Sequence, residues 1–164
     1  MLLKIALLLA ILSTGLIAGL FYAYSVSVNT GLGRLNDASY LRAMQSINRA
    51  ILNPIFFLTF IGTLLLLSVS TWLEYSLVGK TGTFYWLLAS SLLYFFGVFL
   101  VTVIGNVPLN NTLDRFNIDE ATTEAVEQQR LAFEGPWNRL HLIRTLANVL
   151  TFAGAVWAAL RAGS

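Results

Sequence analysis

The sequence predicts an all-α membrane protein: a four-transmembrane-helix antiparallel bundle, a single domain over residues 1–164, with two interfacial amphipathic helices in its long loops. The first ground is composition. Hydrophobic residues are 57% of the chain and charged residues 11%, with a mean hydropathy of +0.72, far more apolar than an ordinary soluble domain. The second is a set of four apolar runs, each near the roughly 20 residues that a bilayer crossing needs. The third is that no short alternating segments mark a β-barrel, so helices must satisfy the backbone in lipid.

The first run, Ile5 to Val28, carries no charge. Its opening, MLLKIALLLAILSTGLIAG, has the lysine, apolar centre and small residues of a signal peptide. The run continues through Phe21, Tyr22, Tyr24 and Val26, too far for an ordinary signal, and is read as a retained span. Pro54 to Leu73 and Phe84 to Ile104 are also uncharged, while Leu140 to Leu160 is interrupted by His141 and Arg144 near its start. The short EYSLVGKTGT, with Gly79, Lys80 and Gly82, predicts a helical hairpin between the second and third spans. The other two connections are longer, and antiparallel spans put both on the opposite side.

The first long loop places Tyr40, Leu41, Met44, Ile47 and Ile51 at helical spacing, with Asn36 or Asp37 as a cap and Arg42, Gln45, Arg49 and Asn53 on the other face. That pattern predicts an amphipathic helix lying on the bundle. The second long loop, NIDEATTEAVEQQRLAFEG, offers Asn117 and Glu120 as a capping box and repeats Ala121, Ala125, Val126 and Phe133 on one face. It predicts a second interfacial helix that ends at Gly135 and Pro136.

Polar stripes on the spans end beside these loops. Tyr22, Ser25 and Asn29 are spaced by three and four; Thr102 and Asn106 share a face, and GNVPLNN follows, where Pro108 predicts a break or restart. Trp137, His141, Thr145 and Asn148 form a third stripe, with Arg144 beside it. Each residue alone has a structural reading: Trp137 and Tyr22 as belt aromatics, Arg139 and Arg144 as snorkelling cations, asparagines as caps or helix–helix contacts. Together, Asn29, Gln45, Asn48, Arg49, Asn53, Asn106, Asn110, Asn138, His141, Arg144 and Asn148 are too many polar groups at one end to serve only as anchors.

The residue set limits the chemistry. The absence of cysteine removes disulfides, thiolate catalysis, Cys-ligated zinc and a Cys-pair quinone reductase. With one histidine and carboxylates almost confined to loops, no transition-metal site is expected. A haem on a single histidine stays compatible, without a CxxCH motif or a second histidine to support it. No glycine-rich phosphate cradle and no nucleophile elbow occur. The net charge of +2, with no basic block, leaves no footprint for nucleic acid. What remains is one base near neutral pH among donors and fixed positive charge, suited to deprotonating an acidic carbon or phenol and holding the anion.

The succession GLFYAYSVSVNTGLGRL, AMQSINRAILNP, GNVPLNNTL and RLAFEGPWNRLHLIRT, running from Gly19 to Leu146, resembles the anthrone-oxygenase-like family of small four-span membrane proteins. The resemblance implies an oxygenase that oxidises an anthrone-like or hydroquinone-like aromatic with molecular oxygen and no metal or flavin. It carries the family's polar positions onto Asn29, Gln45, Asn48, Arg49, Asn53, Asn106, Pro108, Asn110, Trp137, Asn138, His141 and Arg144. In that reading His141 removes the ring proton, Arg144 and Arg49 with nearby amides hold the phenolate, Trp137 stacks on the substrate, and Tyr22 joins the binding stripe.

The competing reading is a non-enzymatic membrane module that binds a lipid, quinone or partner helix at the same polar end. Gly15, Ala18 and Gly19 would permit close helix packing and a homo-oligomer. The arginines of the long loops outnumber Lys4, Lys80 and Arg161, which places the long loops in the cytoplasm and both termini outside, in a bacterial cell membrane by the resemblance.

Overall fold

The computed structural model describes residues 1–162, which form five helices. Four are long and apolar enough to span a membrane: α1 (Leu2–Leu32), α3 (Pro54–Leu77), α4 (Gly82–Asp114) and α5 (Thr123–Arg161). The fifth, α2 (Asp37–Ala50), lies between α1 and α3. No strand occurs among the described residues, and the chain is an all-α membrane bundle. The spans stand around a square, with α1 beside α3 and α5, and α4 beside the same two.

The predicted amphipathic helix of the first long loop is α2. Asn36 caps it by accepting from the Ser39 amide at 2.9 Å, and Tyr40, Leu41 and Met44 are buried, so its 3.6-residue stripe lies on the bundle. Asn53 caps α3 by accepting from the Phe56 amide at 3.0 Å, ahead of Pro54 in the first turn. The hairpin between α3 and α4 turns at Gly79, whose φ of 110° is open to glycine at little cost.

One expectation is corrected. The second long loop holds no separate interfacial helix, because α5 runs unbroken from Thr123 through Gly135 and Pro136 to Arg161. Its cap is Thr122, which accepts from Ala125, whereas Asn117 closes a turn by accepting from Asp119. Proline removes one ladder bond, and here Phe133 and Trp137, buried on either side of Pro136, hold the helix together by packing. At 39 residues α5 is roughly 58 Å long at 1.5 Å per residue, so it projects well beyond the hydrocarbon layer. At Pro108 the expected restart of the regular helix is seen, without a gap in the helical chain. A π-helical stretch, Phe95–Asn106, precedes it and Pro108 falls in the first turn of the α-helical continuation, where a missing N–H is tolerated.

Polar pairs stitch the spans inside the apolar bundle. Ser13 and Thr63 hydroxyls meet at 2.6 Å, Thr71 and Ser91 at 2.9 Å, and the Tyr94 hydroxyl donates to the Phe60 carbonyl at 2.8 Å. The α4–α5 seam depends on close approach at glycine. A Cβ on Gly97 would stand 2.7 Å from the Ala147 Cβ. Gly97→Ala is therefore expected to destabilise the fold by about 1–3 kcal/mol, and adding Ala147→Gly to restore most of it. Thermal unfolding in detergent reads both, and an unchanged midpoint for the single variant would contradict this packing.

A second, smaller core lies on the loop side, where α2 packs on the projecting part of α5 and the end of α4 through Tyr40, Leu41, Met44, Leu113, Val126, Phe133 and Trp137. Arg130 pins it. Its guanidinium donates to Asp37 at 2.9 Å, Glu134 at 2.7 Å and the carbonyls of Leu35 and Gly33 at 2.7 and 3.1 Å, and lies 4.5 Å over the Tyr40 ring. Burial, reinforced by the Glu134 carboxylate, pushes the Tyr40 phenol well above its ordinary range, so the ring stays neutral beneath that cation. Arg130→Ala leaves two carboxylates and two carbonyls without this donor. A loss of about 2 kcal/mol is expected, read as a lower unfolding midpoint and as proteolysis at Gly33–Asp37.

Candidate functional site

His141 and Arg144 share a face of α5 by their spacing, and the structure buries both, with 2% and 8% of their surfaces exposed. The Arg144 Nε–H and Nη2–H both reach His141 Nδ1, at 3.2 and 3.0 Å. A guanidinium only donates, so Nδ1 must accept. The imidazole is therefore neutral, its proton sits on Nε2, and that N–H donates to the Phe21 carbonyl at 3.2 Å. Phe21 lies three residues before the π-helical turn Tyr24–Val28 of α1, where the ladder changes register. Thr145 backs the pair: its hydroxyl donates to the His141 carbonyl at 2.7 Å and lies 3.3 Å from Ser25.

Aromatic rings enclose the pair. His141 stacks on Trp137 with centroids 5.0 Å apart, and Tyr24 and Phe21 meet it edge-on at 5.2 and 5.7 Å. Arg144 stands 4.5 Å over Phe21 and 5.2 Å from the Trp137 centroid. Among the described residues, no carboxylate lies within ion-pair distance of it. A buried guanidinium without a counter-ion is costly. It is held here by cation–π contacts and by an imidazole acceptor, both weaker than a carboxylate would be.

The pair forms one wall of a cavity of about 320 Å³, near the lower end for small-molecule sites. Phe56, Phe60 and Phe99 line the opposite apolar part, with Phe60 stacked between the other two at centroid distances of 5.2 and 5.9 Å. Asn48 of α2 and Asn110 of α4 supply amides. Asn110 accepts from Trp137 Nε1 at 2.8 Å, and the buried Asn48 Nδ2 has no partner among the described residues.

The residues singled out in the sequence divide accordingly. His141, Arg144, Trp137, Asn48 and Asn110 converge on the cavity. Asn106 is buried behind it, its Nδ2 donating to the Trp137 carbonyl at 3.4 Å. The others are not brought to the wall. Tyr22 points outward, 59% exposed. Asn29 sits beyond the π-helical turn, where its carbonyl accepts from Gly33. Asn53 caps α3, and Asn138 is half-buried away from the cavity. Arg49 pairs with Asp114 at 2.5 Å, and Gln45 donates to the Leu113 and Phe116 carbonyls, both at 2.9 Å. Trp137, which lines the cavity, also stacks within the chain on Phe133 and His141, at centroid distances of 6.2 and 5.0 Å. Sequence reasoning missed Phe21 and Tyr24, and the aromatic wall; the i,i+4 pair Phe56 and Phe60 was visible but indistinguishable from lipid-facing surface.

Fold and site together define a small four-span membrane protein that presents a buried imidazole–guanidinium pair to an aromatic cavity. The sequence pattern of the anthrone oxygenase family matches residues 56–154, more than half of the chain, and the protein belongs to that family. The match holds α3, α4 and most of α5, including Trp137, His141 and Arg144, while α1 and α2 contribute Phe21, Tyr24 and Asn48 from outside it. Comparison with curated proteins and with solved structures gives no match.

Proposed function

We propose that the protein oxidises a flat, anthrone-like or hydroquinone-like aromatic with molecular oxygen, and that the buried Arg144 guanidinium without a carboxylate is the feature built for it. The observation that carries this reading is that cation, held against a neutral imidazole on the wall of an aromatic cavity. An enol or phenol oxygen entering the cavity competes with His141 Nδ1 for the Arg144 N–H groups. When the guanidinium turns to that oxygen, the Nδ1 lone pair is released and takes the substrate's acidic proton, while Arg144 stays on the developing anion. With an anthrone, the carbanionic carbon then bonds to one atom of dioxygen, which partitions into lipid; protonation gives a hydroperoxide, the carbon loses its second hydrogen, the O–O bond breaks, and a ketone and water result. With a hydroquinone, one electron pair and two protons pass to dioxygen, giving a quinone and hydrogen peroxide. In both cases the electrons come from the substrate, so no cofactor is needed. Asn48 Nδ2, lacking a partner among the described residues, supports a donor to a second ring oxygen.

The test is oxygen uptake by detergent-purified protein with anthrone, using isotopically labelled dioxygen. One labelled atom in the new ketone is expected, and the absence of enzyme-dependent uptake across anthrones and hydroquinones would overturn the reading. A second reading, non-catalytic binding of a quinone-like molecule, is favoured by one observation: both ring nitrogens of His141 are already engaged within the chain.

A further inference from the structure

We infer that the ligand of this cavity arrives from the bilayer rather than from water, through the seam between α3 and α4. The inference rests on the proposed reading for the ligand's class, a membrane-dissolved aromatic, but the route is argued from packing.

The aqueous side is held by α2. Ile47 and Ile51, on and just after α2 and both half-buried, line the cavity on this side beside the exposed Leu52, and α2 is fastened there from two directions. Arg49 pairs with Asp114 at the end of α4, and Gln45 donates to the Leu113 and Phe116 carbonyls beside it. Arg42 reaches Asp119 at 2.5 Å, and the buried face of α2 packs on α5. Lifting α2 would break all of these contacts and expose Tyr40, Leu41 and Met44 to water.

The lipid side is open. α3 packs against the first half of α4, Gly82–Tyr94, but its packing on Phe95–Asn106 is slight. The cavity fills the wedge between them. On its α3 edge stand Phe57 and Ile61, each 42% exposed, and on its α4 edge Val103 and Val107, 44% and 37% exposed. These side chains belong both to the cavity lining and to the outer surface, and all are apolar. They form a threshold that an aromatic hydrocarbon crosses without leaving an apolar medium, whereas an anion or a sugar would have to be dehydrated to pass. The polar groups lie behind it, so a ligand would enter with its apolar edge still among Phe56, Phe60 and Phe99 as its oxygen reaches Arg144.

The chain has no cysteine, which makes the seam testable on a clean background. Ile61→Cys with Val103→Cys, joined by a reducible bifunctional thiol reagent, closes α3 onto α4 without touching the polar groups. Trp72, Trp86 and Trp157 are 64%, 44% and 48% exposed, so changing them to Phe leaves Trp137 as the single reporter. The full-length protein in phosphatidylcholine vesicles is mixed with vesicles carrying anthrone, and Trp137 quenching is followed in time. Closing the link is expected to slow quenching by about tenfold or more with the same end point, and reduction to restore the rate. Unchanged kinetics with the link closed would overturn the route, and so would a lack of quenching in the unlinked protein. Oxygen uptake on the same samples separates the two ideas: link-sensitive quenching without any turnover keeps the route and removes the oxygenase reading.

Discussion

Arg144→Leu is expected to give a protein that unfolds at a higher temperature and turns over far more slowly. The two effects have one origin. Arg144 is 8% exposed and has no carboxylate partner among the described residues. An unpaired buried charge costs several kcal/mol in desolvation. The Phe21 and Trp137 rings return about 1 kcal/mol each, and the bonds to His141 about 1–3 kcal/mol more. Leucine occupies most of the stem's volume and removes the charge, so a net gain of about 1 kcal/mol is expected in detergent melts. Turnover should fall about 10²- to 10³-fold, the usual loss when a preorganised donor to a developing oxyanion is removed. Arg144→Lys keeps the charge but loses the fork that spans imidazole and substrate oxygen, and should recover only part of the rate. A variant that melts earlier and stays active would mean that Arg144 is a structural brace.

Much of this fold was legible because lipid leaves few alternatives. The four apolar runs became four spans, and the stripe of Tyr40, Leu41 and Met44 behind Asn36 became α2, since a capped stripe of that period has one way to bury itself. The reading of Gly135–Pro136 as a stop failed because a proline's single lost bond is small beside the burial of Phe133 and Trp137 around it. Tyr22, Ser25 and Asn29 share one face only under α periodicity. The π-helical turn Tyr24–Val28 interrupts that period after Tyr22, so Ser25 lies near Thr145 while Tyr22, in the α-helical segment before the turn, faces outward. Arg49 and Gln45 show a different limit. Their spacing revealed a polar face on α2, but their partners lie around Asp114, more than sixty residues away in the chain, where spacing has no reach. The convergence on His141, Arg144 and Asn110 was readable because their spans end on the same side of the membrane.

His141→Gln should separate the two readings of the site. The glutamine amide can still donate towards the Phe21 carbonyl and accept from Arg144, so the hydrogen bonds of the resting pair survive in kind. What it lacks is a lone pair basic enough to take a proton. If His141 Nδ1 is the base, turnover falls about 10²- to 10⁴-fold, while equilibrium quenching of Trp137 by anthrone is retained, because the rings that hold the ligand are untouched. His141→Ala adds a different defect. It opens a void beside Trp137 and leaves Arg144 without its acceptor, so binding and stability should fall along with rate. The Gln variant is therefore the informative one. Should it keep both turnover and quenching, the imidazole serves as a hydrogen-bonding spacer and the substrate's proton must leave by another route. Should it lose quenching as well as rate, the stacked His141–Trp137 pair is part of the binding wall, and the non-catalytic reading becomes the simpler account of a neutral imidazole with both nitrogens engaged.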